Sequence, residues 1–121
     1  MEKQDAKITI QELKLIMNEF VTERDWKKFH TPQSLAMNLS VEAAELLEKF
    51  VWADKQGSFQ ELEKNRQEIE DELADVFMCV LSFCNVANID LSKAMLAKLQ
   101  EVKAKYPVDK VKGKSTKYDK L

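Results

Sequence analysis

The stretch "IEDELADVFMCVLSFC", residues 69–84, decides the fold. Acids crowd its start: Glu68 just ahead of it, then Glu70, Asp71 and Glu72, with Asp75 one turn later. From Val76 the chain carries no charge until Asp90. Val76, Phe77, Met78, Cys79, Val80, Leu81, Phe83 and Cys84 would occupy nearly every side of a helix. A helix that is apolar all round is covered all round. A chain of 121 residues has room for one core and little to spare for wrapping a central helix. The stretch therefore predicts a central helix sealed by a second copy of the chain. It also raises a question: why does Asp75 run up against a core?

Working outward, the pattern is all-α, a four-helix bundle-like fold with no strand and no repeat. Leu13, Ile16, Met17, Phe20 and Val21 recur at helical spacing and predict a first helix over about 10–29, capped by Thr9. Thr31 and Pro32 open a second helix running to about Asp54, since Pro loses nothing at the first helical position. Gly57 marks a break, and Ser58 with Glu61 reads as a capping box for a third helix over about 59–87. Asp90 caps a fourth, which ends near Tyr106, before Pro107. The domain is expected over residues 1–107. "VDKVKGKSTKYDKL", 108–121, reads as a lysine-rich, extended C-terminal arm.

Charged residues make up 33 % of the chain but nearly cancel, to a net charge of −2. That balance offers no basic surface for nucleic acid and none for a membrane. No apolar run approaches the roughly 18 residues that span a bilayer, and "MEKQDAKITI" lacks the apolar region of a signal peptide. Cys79 and Cys84 are five apart in one apolar helix and form no CxxC pair. They read as small buried hydrophobes of a cytoplasmic protein.

Residues three apart on a helix share a face. Glu72 and Asp75 make one such pair, and "VEAAELLEKF" makes another from Glu42 and Glu45, set among Val41, Ala43, Ala44, Leu46 and Leu47. An isolated ExxE is usually a solvated face. Two pairs flanked by apolar residues, on helices that pack side by side, would gather four carboxylates in a low dielectric, where they repel. A divalent cation resolves that conflict, and all-oxygen donors suit Mg²⁺ or Mn²⁺. Asp75 would then border the core because it faces a metal. A di-iron bundle is excluded, since His30 is the single histidine and has no Glu three residues before it. There is no glycine-rich phosphate loop and no context for a Ser-His-Asp triad.

"ERDWKKFHTP" gathers Trp26, Phe29 and His30 at a helix end, and Trp52 lies two turns beyond Glu45 on the same face. Trp26, His30 and Trp52 could stack on a flat ring. They equally suit a core and a backbone-bonding turn.

These stretches together, "RDWKKFHTPQSLAMNLSVEAAELLEKFVW", "EDELADVF" and "KYP", resemble the MazG-like nucleotide pyrophosphohydrolases of the all-α NTP pyrophosphatase superfamily, closest to the small dCTP pyrophosphatase branch. The family signature, ExxE then ExxD, falls on Glu42/Glu45 and Glu72/Asp75, with 26 residues between the two motifs. The resemblance implies a MazG-type helical fold that dimerises or forms tetramers. It implies Mg²⁺-dependent hydrolysis of a nucleoside triphosphate, dCTP or a related dNTP, to monophosphate and pyrophosphate, to cleanse the nucleotide pool. It places metal binding on the four acids, base or sugar contacts on Trp26, His30 and Trp52, and phosphate contacts or site closure on Lys98 and Tyr106. Glu45 is the residue expected to orient the attacking water. Two positions depart from the pattern: Val102 stands where an Asn is common, and Cys79 where the dCTP branch often has an aromatic ring. Both bear on substrate preference more than on hydrolysis. The alternative is a non-catalytic helical dimer that binds nucleotide and metal.

Overall fold

The computed structural model describes residues 3–121, in two compact units: one ends at Asn88, the other is Ile89–Leu121. Among the described residues there are six α-helices and no strand. The first unit contains α1 (Ile10–Glu23), α2 (Pro32–Glu48), α3 (Lys55–Lys64) and α4 (Arg66–Ala87). The second contains α5 (Leu91–Lys105) and the single-turn α6 (Val108–Val111). No single helix among the described residues is long and apolar enough to cross a membrane.

The caps explain the helix boundaries. Thr9 accepts from the Glu12 N–H at 3.1 Å, and the Glu12 carboxylate accepts from the Thr9 N–H at 3.3 Å, a complete capping box. The first helix stops at Glu23, not near Phe29. Asp25 takes a left-handed φ of 55°, Trp26 N–H donates to the Val21 carbonyl, and Asp25 N–H donates to that of Thr22. This is a Schellman stop built on aspartate where glycine is usual, so the sequence carries no glycine to announce it. Residues Lys27–Phe29 form a separate 3₁₀ turn. Thr31 then caps α2 with Pro32 at its first position, and the Ser34 hydroxyl donates back to the Phe29 carbonyl at 2.8 Å.

Two further boundaries differ from expectation. α2 ends at Glu48 rather than Asp54. The cap of the next helix is Asp54, which accepts from the Gly57 N–H at 2.7 Å. Gly57 therefore lies inside α3, where a side chain would meet the Asp54 carboxylate at 3.0 Å. Ser58 makes no capping box and donates to the Lys55 carbonyl instead. The expected long third helix is two helices, broken at Asn65, whose amide donates to Glu61 at 2.7 Å.

Within the first unit α2, α1 and α3 all pack on α4, α2 most extensively. Val21, Leu35, Ile69, Leu81 and Cys84 are buried. The central helix is not sealed by this chain alone: Leu73 is 55 % exposed and Met78 41 %. Both cysteines are free thiols. In the second unit Asp90 caps α5, as its spacing predicts. The arm is not extended throughout. After α6 it turns at Gly113, with φ of 77°, and the Tyr118 ring meets that of Tyr106 edge-on, 6.1 Å between centroids.

Candidate active site

Glu42 and Glu45 stand one turn apart on α2, Glu72 and Asp75 one turn apart on α4. Because these two helices pack together, the four half-buried carboxylates converge, with one oxygen of each within 4.8 Å of the others. Glu42 Oε2 and Glu72 Oε2 are shut off from solvent and have no hydrogen-bond partner. A buried polar atom left in that state destabilises the fold unless something pairs with it. Burial holds the Glu72 carboxyl above its usual range, with a hydrogen bond to Glu45 and repulsion from Glu45 and Asp75 adding to it. Lys49 pulls the other way. Its ammonium is already taken by Glu68 at 3.2 Å, the pairing that chiefly raises the Lys49 pKa. Four hard oxygen donors, two of them orphaned, fit a hard divalent cation.

Beside this cluster opens a cleft of about 160 Å³ whose walls include Trp26, His30, Asn38, Glu42, Asp75 and Cys79. The Schellman stop places Trp26 here by turning the chain back after α1. Its ring packs edge-on against Phe20, 5.6 Å between centroids. Burial first, then the charges of Glu42 and Asp75, push the Cys79 thiol up. Asn38 was not among the residues read from the sequence. It stands one turn before Glu42 on the same face, and its amide is a polar group on the wall of the cleft.

Trp26, His30 and the four acids are thus brought together. Trp52 is not: it lies in the turn after α2, 97 % exposed, and lines neither this cleft nor the larger cavity beside it. Lys98 and Tyr106 belong to the second unit. Lys98 pairs with Glu101 at 3.2 Å, and the Tyr106 hydroxyl accepts from the Tyr118 N–H at 3.2 Å.

Two acid pairs on packed helices beside an aromatic-walled cleft define a class of protein, and the comparisons name it. The MazG-like family model matches residues 37–121, and the chain belongs to that family. The chain is similar to dCTP pyrophosphatase 1 of rat, 32 % identical over 115 residues that cover 93 % of this chain and 68 % of that one, and to the human protein of the same name, 30 % identical over the same coverage. Its structure resembles that of a pyrophosphatase from Archaeoglobus fulgidus, with a TM-score of 0.79 and 41 % identity, covering 81 % of this chain and 92 % of that one. With relatives of this kind over most of its length, the chain is a hydrolase of the pyrophosphatase class.

Proposed function

We propose that the chain is a Mg²⁺-dependent nucleoside triphosphate pyrophosphohydrolase that converts a deoxynucleotide, dCTP or a close relative, to monophosphate and pyrophosphate, and so clears unwanted nucleotides from the pool. The observation that carries this reading is the convergence of Glu42, Glu45, Glu72 and Asp75 with two orphaned oxygens among them. Those four residues would hold Mg²⁺, with Mn²⁺ as the alternative. Bound there, the ion supplies charge neutralisation for the triphosphate and makes the attacked phosphorus more electrophilic.

The chain's own residues do the rest. Glu45 is the group that orients the attacking water. Trp26, braced by Phe20, offers its ring to the base or sugar, and His30 closes the same wall. Lys98 and Tyr106 serve the phosphates. The nearly complete exposure of Trp52, with that of Leu73 and Met78, supports a homodimer or homotetramer in which a second copy covers these side chains. Two free thiols support a reducing, cytoplasmic setting.

Phosphorus NMR of a panel of dNTPs incubated with the full chain and Mg²⁺ tests the reading. Monophosphate and pyrophosphate are expected. Diphosphate and phosphate would place the cleavage elsewhere, and no turnover across the panel would defeat the proposal.

A further inference from the structure

Asn38, Glu42, Glu45 and Lys49 follow one another along α2 at spacings of three or four residues, and so share a face. Lys49 caps the helix with helical backbone angles, φ −64° and ψ −19°, so it continues that face. Glu68, Glu72, Asp75 and Cys79 do the same along α4. Glu42 and Asp75 meet at the wall of the cleft, Glu45 hydrogen-bonds Glu72, and Lys49 pairs with Glu68 at 3.2 Å. The two faces therefore meet rung by rung in opposite directions. Trp26 and His30 stand at one end of the rungs, and the Lys49–Glu68 pair closes the other. We infer that Lys49 is a substrate-binding residue whose ammonium holds the distal phosphates of the triphosphate, those that leave as pyrophosphate. The inference rests on the proposed triphosphate substrate and gives its phosphate chain a direction along the seam.

Three observations carry it. The first is direction. The aromatic-walled cleft suits the flat end of a nucleotide, and the four acids begin at its wall with Glu42 and Asp75. A phosphate chain that leaves the cleft across those acids comes next to the rung of Lys49. From Glu42 to Lys49 the helix advances seven residues, about 10 Å, a distance that a sugar and its triphosphate can cover.

The second is charge. No lysine or arginine is among the described residues that line the cleft. Lys27 lines the larger cavity beyond it, toward Asn85, and so lies away from the seam's far end. Lys49 stands close enough for Glu72 to feel its charge. Four acids repel any phosphate oxygen that a metal does not neutralise. A cation at the end of the rungs offsets that repulsion where the phosphate chain ends.

The third is that the present partner of Lys49 is replaceable. The Glu68 side chain is 65 % exposed, and that of Lys49 is 28 % exposed. An ion pair with so open a carboxylate contributes little, because water and salt screen it. A phosphate chain carries several negative charges and outcompetes a single carboxylate for the ammonium. The flexible lysine stem lets the charged head turn from one to the other, and lysine binds phosphate as a compact point charge.

The test is calorimetric titration of inorganic pyrophosphate into the full chain in Mg²⁺, native and variant, with dNTP turnover assayed separately. Lys49→Ala should weaken pyrophosphate binding about tenfold, the scale of one charge-assisted hydrogen bond, and raise the KM of turnover by a similar factor. Lys49→Arg should restore most of both. Glu68→Gln breaks the same ion pair but frees the ammonium, so it should bind pyrophosphate at least as tightly as the native chain. A pair that merely staples α2 to α4 predicts equal losses in Lys49→Ala and Glu68→Gln. Equal losses, unchanged binding in the folded Lys49→Ala protein, or no pyrophosphate binding by the native chain overturns the inference. dNTP turnover with pyrophosphate binding that ignores Lys49 refutes the phosphate contact alone. Lys49-dependent pyrophosphate binding without turnover of any dNTP refutes the hydrolase reading and leaves the contact standing.

Discussion

Glu72 and Glu101 are the same residue in opposite circumstances. Glu72, in the α2–α4 seam, is pushed above its ordinary pKa by burial and by fellow acids. Glu101, on α5, is held below it by a hydrogen bond from Lys98 and by the charges of Lys98 and Lys105. The second unit settles its charges with ion pairs one turn apart on an exposed helix, at 3.2 and 3.8 Å. The first unit leaves four acids facing one another, with two oxygens unpartnered. Charge that is settled locally says nothing about a ligand. Charge left unsettled in a half-buried seam implies that something else belongs there.

The sharpest way to break this contrast is to remove one member of the seam. Glu72→Ala should lower Mg²⁺-dependent turnover by at least about a thousandfold, the loss of charge stabilisation at the reacting phosphate, while circular dichroism shows the helices intact. Near-normal activity in that protein would defeat the site assignment. Next in size is the response to metal. Because a ligand that binds the native state alone raises stability, Mg²⁺ should raise the melting temperature of the native chain and not that of Glu72→Ala.

A smaller effect follows from protonation. A carboxyl whose folded pKa is raised binds its proton more tightly in the native state than in the unfolded chain. Without metal, stability should therefore fall as pH rises from the ordinary value of 4.5 up through the raised one. Saturating Mg²⁺ should flatten that slope, and Glu72→Gln should remove it. A metal-free chain that grows more stable over the same window would reverse the sign and refute the account of the seam. The smallest effect belongs to the comparison partner. Glu101→Gln loses a solvent-exposed pairing, which salt screens. It should shift melting less than any change in the seam, and in the opposite pH sense, its contribution present above the ordinary carboxylate value and lost as pH falls.

The all-α class, three of the helix starts and the acid pairs were legible because they rest on local rules; the helix count was not, since four were expected and six α-helices stand among the described residues. Thr9, Thr31 and Asp90 cap the helices they were expected to cap. The three-residue spacing of Glu42 with Glu45, and of Glu72 with Asp75, sets each pair on one face whatever packs against it. The breaks were less legible. Asp25 takes a left-handed turn that glycine usually marks, and Asn65 interrupts what reads as one helix. Asp54 outcompetes Ser58 as a cap because Gly57 lets its carboxylate approach the backbone. Trp52 shares a helical face with Glu45 only if α2 continues, and α2 stops at Glu48. Asn38 passed unnoticed on α2, where a polar residue one turn before Glu42 was the available signal.

The central claim is that the four seam acids hold a divalent cation. Its most direct test is titration of Mn²⁺ into the metal-free full chain, with free Mn²⁺ followed by electron paramagnetic resonance. Stoichiometric binding that is lost in Glu72→Ala and displaced by Mg²⁺ is the expected result. No saturable binding, or binding unchanged in Glu72→Ala, would contradict it.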